Sequence, residues 1–295
     1  MGCASTKTQP EFPSIDVSNQ AIIHWFPMSQ PSRAVALLCD MAKLNVEFKM
    51  VNIMKGEKCK ANPLGSVPYL QDHQKDFSVN MGEGGAILIH LCETRNSQCK
   101  QYYPANPQIR SKIHYWMHWH HTGARNSTSK IIRDLFFPTT TKEQVVTDMK
   151  AFLPVLHYLD QSLKQQGTKF LACDNVTIAD MFLLAEIDQL DPVIDATFSE
   201  GLFPNLESWR KNMACLPSYA KNFAPIQGFH NSDMFKARTE WFKESIQETN
   251  LDEAVAAMRK TMEATDDSST NKDIDANGDG EISYEEYKQY LLRSQ

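Results

Sequence analysis

Oxygen-bearing side chains crowd one dodecamer near the C-terminus, Asp275-Ala276-Asn277-Gly278-Asp279-Gly280-Glu281-Ile282-Ser283-Tyr284-Glu285-Glu286. Loop positions 1, 3, 5 and 12 carry donors, position 6 is a glycine and position 8 is apolar, which is the pattern of an EF-hand loop. A hard cation such as Ca²⁺ collects six to eight oxygens in a flexible shell. The expected ligands are Asp275, Asn277, Asp279, the Glu281 carbonyl, Ser283 directly or through water, and bidentate Glu286. Tyr284 to Leu292 makes a good exiting helix, whereas Thr265 to Lys272 makes a poor entering one and no second loop is present to pair with it. Low affinity is expected unless another chain supplies the partner hand.

A second chemical signal lies at the other end. Met1-Gly2-Cys3-Ala4-Ser5-Thr6 matches the N-myristoylation pattern, with Gly2 as the acyl acceptor and Cys3 as a neighbouring palmitoylation site. One myristoyl chain binds membranes at only about 10⁴ M⁻¹, and a second chain on Cys3 makes the anchoring stable. A third signal is Ser29-Gln30-Pro31-Ser32-Arg33. Pro31 suits a first helical position, which leaves Ser29 just outside the helix with its hydroxyl free to face a ligand. The amides and dipole of that helix start favour negative charge in the same place. Both redox positions of the turn, Ser29 and Ser32, are serines, so no thiol–disulfide chemistry starts there. No tyrosine occurs before Tyr69, which leaves Ser29 as the main candidate hydroxyl and Ser32 as a weaker one.

The elements that would carry these groups follow from periodicity. Ala21 to Phe26 reads as a short buried strand, Pro31 to Lys43 as a helix and Val46 to Ile53 as a second strand, a βαβ unit with parallel pairing. Val67 to Leu70 and Phe77 to Val79 read as an antiparallel hairpin, and Glu83 to Cys92 as the next helix. That order, β-α-β then β-β-α, is thioredoxin-like. After residue 105 only helices are expected. Ile109 to Ile132 and Val145 to Leu163 are long helical stretches, the latter with an apolar stripe and a kink or break at Pro154. Thr177 to Asp180 is a capping-box start. Phe203 to Asn205 opens a helix carrying Trp209 and Met213, and further helices follow through Phe235 to Phe242 and Leu251 to Met262. The expected division is a flexible tether over 1–19, an α/β thioredoxin-like domain over 20–97, an all-helical domain over 104–226, and a helical extension over 227–295.

Composition narrows the classes. Of the net charge of −6 over 295 residues, −5 lies in residues 265–295, where eight acids face three bases. The body is close to neutral and has no basic stripe, so nucleic acid is not an expected partner. No apolar run reaches the 18 residues of a membrane span and no export signal is present, so a cytoplasmic protein on the cytosolic face of a membrane is expected. Seven cysteines lack CxxC spacing and read as reduced, with Cys39 and Cys92 in the core. His114, His118 and His121 share a helix at i, i+4 and i+7, beside His120, but interleaved Tyr115, Trp116 and Trp119 favour packing or a substrate pocket over a metal.

From Ile22 to about Phe223 the chain resembles the theta-class glutathione transferases. The residues that carry the resemblance are Ser29 to Val35, Met54 to Lys58, Asn62 to Pro68, Gly82 to Leu88, Trp119 to Thr122 and Thr177 to Asp180. The resemblance implies a thioredoxin-like glutathione-binding domain followed by an all-α glutathione-transferase domain, working as a homodimer. It implies that Ser29 bonds the glutathione sulfur and that Val67 and Pro68 form a cis peptide pairing with the cysteinyl unit. Lys58 would lie near the glycine carboxylate and Glu83 would take the γ-glutamyl ammonium. Met28, Trp116, Trp119 and His120 would line the pocket for a small electrophile. Gly84 departs from the family's serine and keeps only its amide for the γ-glutamyl carboxylate. The loss of one such bond costs about 1.5–3 kcal/mol, so a non-catalytic scaffold or Ca²⁺-dependent interaction protein stands as the alternative.

Overall fold

The computed structural model describes residues 17–136, 140–197 and 201–247. Gly2, Cys3, the helix expected at Leu251 to Met262 and the loop from Asp275 to Glu286 lie outside them. Strands β1 (Ala21–Trp25), β2 (Val46–Met50), β3 (Tyr69–His73) and β4 (Ser78–Met81) form one sheet in the order β2-β1-β3-β4. β1 and β2 run parallel, with Ala21 opposite Val46, and the β1–β3 and β3–β4 pairs are antiparallel, with Ile23 opposite Leu70. The parallel pair is joined by helix α1 (Gln30–Met41), as parallel pairing requires a crossover. Helix α2 (Gly84–Thr94) follows β4. Ile23 and Leu70 pack with Leu37, Leu38, Ile87, Leu88 and Leu91 into the buried core of this α/β layer. The second strand ends at Met50 and gives way to a single 3₁₀ turn, Ile53–Lys55, so it is shorter than its apolar run suggested.

The helical part comprises α3 (Asn96–Cys99), α4 (Pro107–Thr122), α5 (Ala124–Phe136), α6 (Lys142–Gln166), α7 (Ile178–Ile187), α8 (Asp191–Thr197), α9 (Pro204–Ala214), α10 (Tyr219–His230) and α11 (Asp233–Gln247). The stretch read as one helix over Ile109 to Ile132 is two, because the backbone turns at Gly123 (φ −90°, ψ −88°). A Cβ at Gly123 would come within 2.4 Å of the Trp119 ring, so glycine alone lets the chain turn there. Conversely, α6 runs through Pro154 unbroken. Proline removes one ladder hydrogen bond, but Val145, Met149, Phe152, Leu156, Leu159 and Leu163 are all buried along one face, and that packing outweighs the loss. The boundary expected between residues 226 and 227 falls inside α10. Phe235 and Phe242 of α11 join the same core cluster as α6, so this part of the extension belongs to the helical body.

Helix α7 sits at the centre. Asp180 accepts the Thr177 amide at 2.9 Å and its hydroxyl at 2.8 Å on one oxygen, and the Leu171 amide and the Trp209 indole on the other. This completes the start of a helix whose ten residues are all buried. Cys39 and Cys92 are buried as expected, and burial pushes the Cys39 thiol up and away from reactivity. Among the described residues no helix is long and apolar enough to cross a membrane.

Candidate functional site

Two helix starts meet at the candidate site. Ser29 is the N-cap of α1, in extended conformation (φ −80°, ψ 121°), and its hydroxyl caps none of the helix amides. It is 8% exposed, held by its own amide bonding the Phe26 carbonyl at 2.9 Å. Pro31 occupies the first turn, where its missing N–H costs nothing. The Ser32 hydroxyl is the bond acceptor for the Phe26 amide at 3.4 Å and is fully buried, which leaves Ser29 as the hydroxyl at the mouth of the turn.

Helix α2 begins against the same proline. Its N-cap, Glu83, is exposed and has φ +61°, a conformation costly for a side-chain-bearing residue and retained only where the surroundings enforce it. The enforcing contacts are at Gly84 and Gly85. A Cβ on Gly84 would lie 2.7 Å from Pro31 Cβ, 3.2 Å from Phe182 Cε2 and 3.3 Å from the Pro31 carbonyl oxygen. One on Gly85 would lie 3.3 Å from Met117 Cε and 3.5 Å from Phe182 Cε1. The glycines are therefore packing residues: α2 starts flush against α1 and α7, and no side chain fits at position 84.

The third element is the turn before β3. The Val67–Pro68 peptide is cis. Asn62 shapes the approach to it, donating to the Ser66 carbonyl at 2.9 Å and accepting the Leu64 amide at 3.0 Å. Gly65, at φ +72°, lies against the stem of Lys58, whose side chain is otherwise exposed. Gly82 approaches Asn62 and Tyr69, which brings the residue before Glu83 next to this turn. Ser29, Val67, Pro68, Glu83 and Gly84 thus occupy the adjoining ends of α1, β3 and α2.

The expected pocket residues divide. Met28 is half-buried beside Ser29. Trp116, Trp119 and His120 are only 5%, 5% and 3% exposed and are among the buried residues of α4. Ile113, Trp116, Met117 and His120 form the inward stripe of α4 at spacings of three and four. The Trp116 indole donates to the Leu171 carbonyl at 3.0 Å, and the His120 ring lies 4.0 Å from that of Phe182. His114 pairs with the Tyr103 hydroxyl at 2.6 Å, and among the described residues no three metal-ligating side chains converge.

Sequence reasoning missed the polar group behind α1. Glu186 on α7 is fully buried and receives Gln30 Nε2 at 3.4 Å, His120 Nε2 at 3.1 Å, Arg125 Nη1 at 3.2 Å and the Thr128 hydroxyl. Burial alone would push its carboxyl up, but the His120 hydrogen bond and the Arg125 charge bring it down to about 2. The available signal was two polar residues, Gln30 and Arg33, ahead of the apolar run Ala34 to Cys39.

Residues 127–223 match a family model for the glutathione S-transferase C-terminal domain. Human glutathione S-transferase theta-2 is 32% identical over 196 residues, covering 62% of this chain and 76% of that protein. The chain belongs to the glutathione S-transferase family. Drosophila melanogaster glutathione S-transferase D7 is 26% identical over 223 residues, 73% of this chain and 91% of the relative. Of Arabidopsis thaliana glutathione S-transferase T3, 28% identical over 203 residues, the chain spans only 33%. The crystal structure of human glutathione transferase theta-2 in complex with glutathione and an unknown ligand superposes with a TM-score of 0.62 at 24% identity, covering 76% of this chain and 98% of that one. The family's architecture, a thioredoxin-like α/β domain followed by a helical domain, is the one described above.

Proposed function

We propose that this chain is a serine-type glutathione transferase that joins the glutathione thiolate to small electrophiles. The observation that carries the reading is the Ser29 hydroxyl, at the N-cap of α1 and bonded to none of its helix's amides, at the meeting point of the starts of α1, α2 and β3. A thiol with an ordinary pKa near 8.5 is mostly protonated at neutral pH, and each unit by which the site lowers it is worth about 1.4 kcal/mol. Ser29 donates a hydrogen bond to the sulfur and the α1 start adds positive polarity. The sulfur then attacks an electrophilic carbon, forming a thioether and expelling the leaving group with its electron pair. In this reading Lys58 attracts the glycine carboxylate, the Val67 backbone pairs with the cysteinyl unit, Glu83 takes the γ-glutamyl ammonium and the Gly84 amide takes the adjoining carboxylate. Met28 borders the electrophile.

The test is conjugation of an aryl halide at millimolar glutathione by wild type and Ser29→Ala. A loss of about 10²–10³ in kcat is expected, the size seen when one preorganised donor to a developing anion is removed. Retention of glutathione with no turnover by the wild type would favour the second reading, a non-catalytic scaffold, for which the crowding at Gly84 is the specific motive.

The proposal extends to both ends of the chain. Acyl groups on Gly2 and Cys3 would hold a homodimer on the cytosolic face of a membrane, and equal membrane partition of wild type and Gly2→Ala would remove that part. The donors from Asp275 to Glu286 fit Ca²⁺ in number and hardness. A Ca²⁺ titration of tail fluorescence that is the same in wild type and Glu286→Gln would remove the calcium site.

A further inference from the structure

We infer that Arg33 is the positioning residue of the Ser29 turn, locking it onto helix α7 so that the thiolate site depends on the helical domain. The inference rests on reading that turn as the glutathione site. A guanidinium presents five donors in a fixed plane, so anchoring it at one end orients whatever it bonds at the other. Arg33 Nη1 donates to the Pro27 carbonyl at 3.2 Å, two residues before Ser29. Nη2 donates to the Ala185 carbonyl in the last turn of α7 at 2.8 Å and to Gln189 Oε1, in the 3₁₀ turn Asp188–Leu190 that follows it, at 2.6 Å. The Arg33 amide itself bonds the Ser29 carbonyl at 3.0 Å. One residue therefore holds the turn on both sides of the nucleophile's partner and ties it to the other domain. The Phe223 ring lies 5.5 Å from the guanidinium carbon.

The chemistry of the group supports a geometric role. Arg33 is fully buried and its Nε has no partner among the described residues, so a cation is kept in the interior for the bonds its fork makes. Burial draws its pKa down to about 10, with Asp188 and Glu186 raising it, and it stays charged at neutral pH. Val35, Leu37 and Leu38 on the same helix show that apolar packing is available to α1. A buried ion is a costly way to join two helices where an apolar pair would serve, but it fixes direction as apolar contact does not. Direction matters here, because a displacement of about 1 Å at a reacting group can cost a hundredfold in rate.

Arg33→Lys keeps the charge beside Asp188 and Glu186 but cannot span Pro27 and Ala185. Gln189→Met leaves Arg33 in place and removes one of its acceptors. In Arg33→Lys the pKa of the bound glutathione thiol, followed by thiolate absorbance, is expected to rise by about one unit, a tenfold loss of kcat below that pKa, with KM for glutathione within about threefold of wild type. Gln189→Met is expected to shift both in the same direction, by about threefold in kcat. Amide hydrogen exchange needs no turnover and separates this inference from the functional reading. The Ser29 amide should exchange at least tenfold faster in Arg33→Lys while the Thr177 amide is unchanged. Unaltered exchange at Ser29, or lowered thermal stability with the thiol pKa unmoved, overturns the inference; absent turnover with faster Ser29 exchange overturns only the transferase reading.

Discussion

The starts of α1 and α2 face each other across Pro31, yet they are held by different forces. At α1 the constraint is polar: Ser29, Gln30 and Arg33 place their backbone and side-chain bonds at fixed points, ending on Ala185 and Glu186 of α7 and on Gln189 just beyond it. At α2 it is steric: Glu83 is bent to φ +61° and two glycines let Pro31, Met117 and Phe182 close on the backbone. The lesson is that a hydrogen-bonded helix start leaves room for a reactive side chain, whereas a packed one leaves only its amides. In the proposed transferase the first start supplies a hydroxyl to the sulfur and the second supplies backbone donors to the γ-glutamyl end.

The comparison breaks most sharply at Phe182, the ring shared by Gly84, Gly85 and His120. Phe182→Ala empties that space and is expected to cost about 3–5 kcal/mol in denaturant unfolding. Glutathione affinity should fall with it while the Ser29 amide keeps its protection from exchange; equal loss of both would merge the two starts into one unit.

Acid titration probes the α1 side. Glu186 sits at about 2 in the folded protein against an ordinary 4.5, so it binds fewer protons folded than unfolded. Its contribution is present above pH 4.5 and is lost as pH falls toward 2, on the order of 3 kcal/mol. In Glu186→Gln the loss of stability between pH 4.5 and 2 should be shallower than in wild type, leaving the part due to carboxylates such as Asp72, which Arg95 and His90 also hold low against its burial. Identical acid profiles would remove Glu186 from the polar network's energetics.

The smallest effect sharpens the steric side. Gly84→Ser adds a hydroxyl where the family resemblance expects one, and the contact at 2.7 Å from Pro31 Cβ forbids it without movement. Overpacking of this kind costs about 1–3 kcal/mol, a fall of about 2–4 °C in Tm per kcal/mol in a protein of this size. Glutathione binding should weaken or stay level; a tenfold tightening in calorimetry would show that α2 can retreat and that the glycine is not a packing requirement.

Local pattern carried a good deal of this. The βαβ unit, the hairpin, the Thr177–Asp180 start and the inward stripe of α6 depend on neighbours two to four residues apart, and the structure has each of them. The aromatic residues of α4 were legible as packing or as a pocket lining without a choice between the two, because a stripe has the same period whether it meets a ligand or another helix. The break at Gly123 and the continuity through Pro154 were also out of reach, since the first depends on the Trp119 ring and the second on burial along α6.

By its own residue order the chain determined which groups are available: a serine ahead of a proline-started helix, no thiol beside it, and a glycine where a hydroxyl was expected. Tertiary structure alone decided what those groups can do. Arg33 lies 152 residues from Ala185 and Gln30 lies 156 from Glu186, on parts of the chain that fold onto one another, and their effect on the Ser29 turn comes from through-space hydrogen bonds, which have no signature in local sequence spacing.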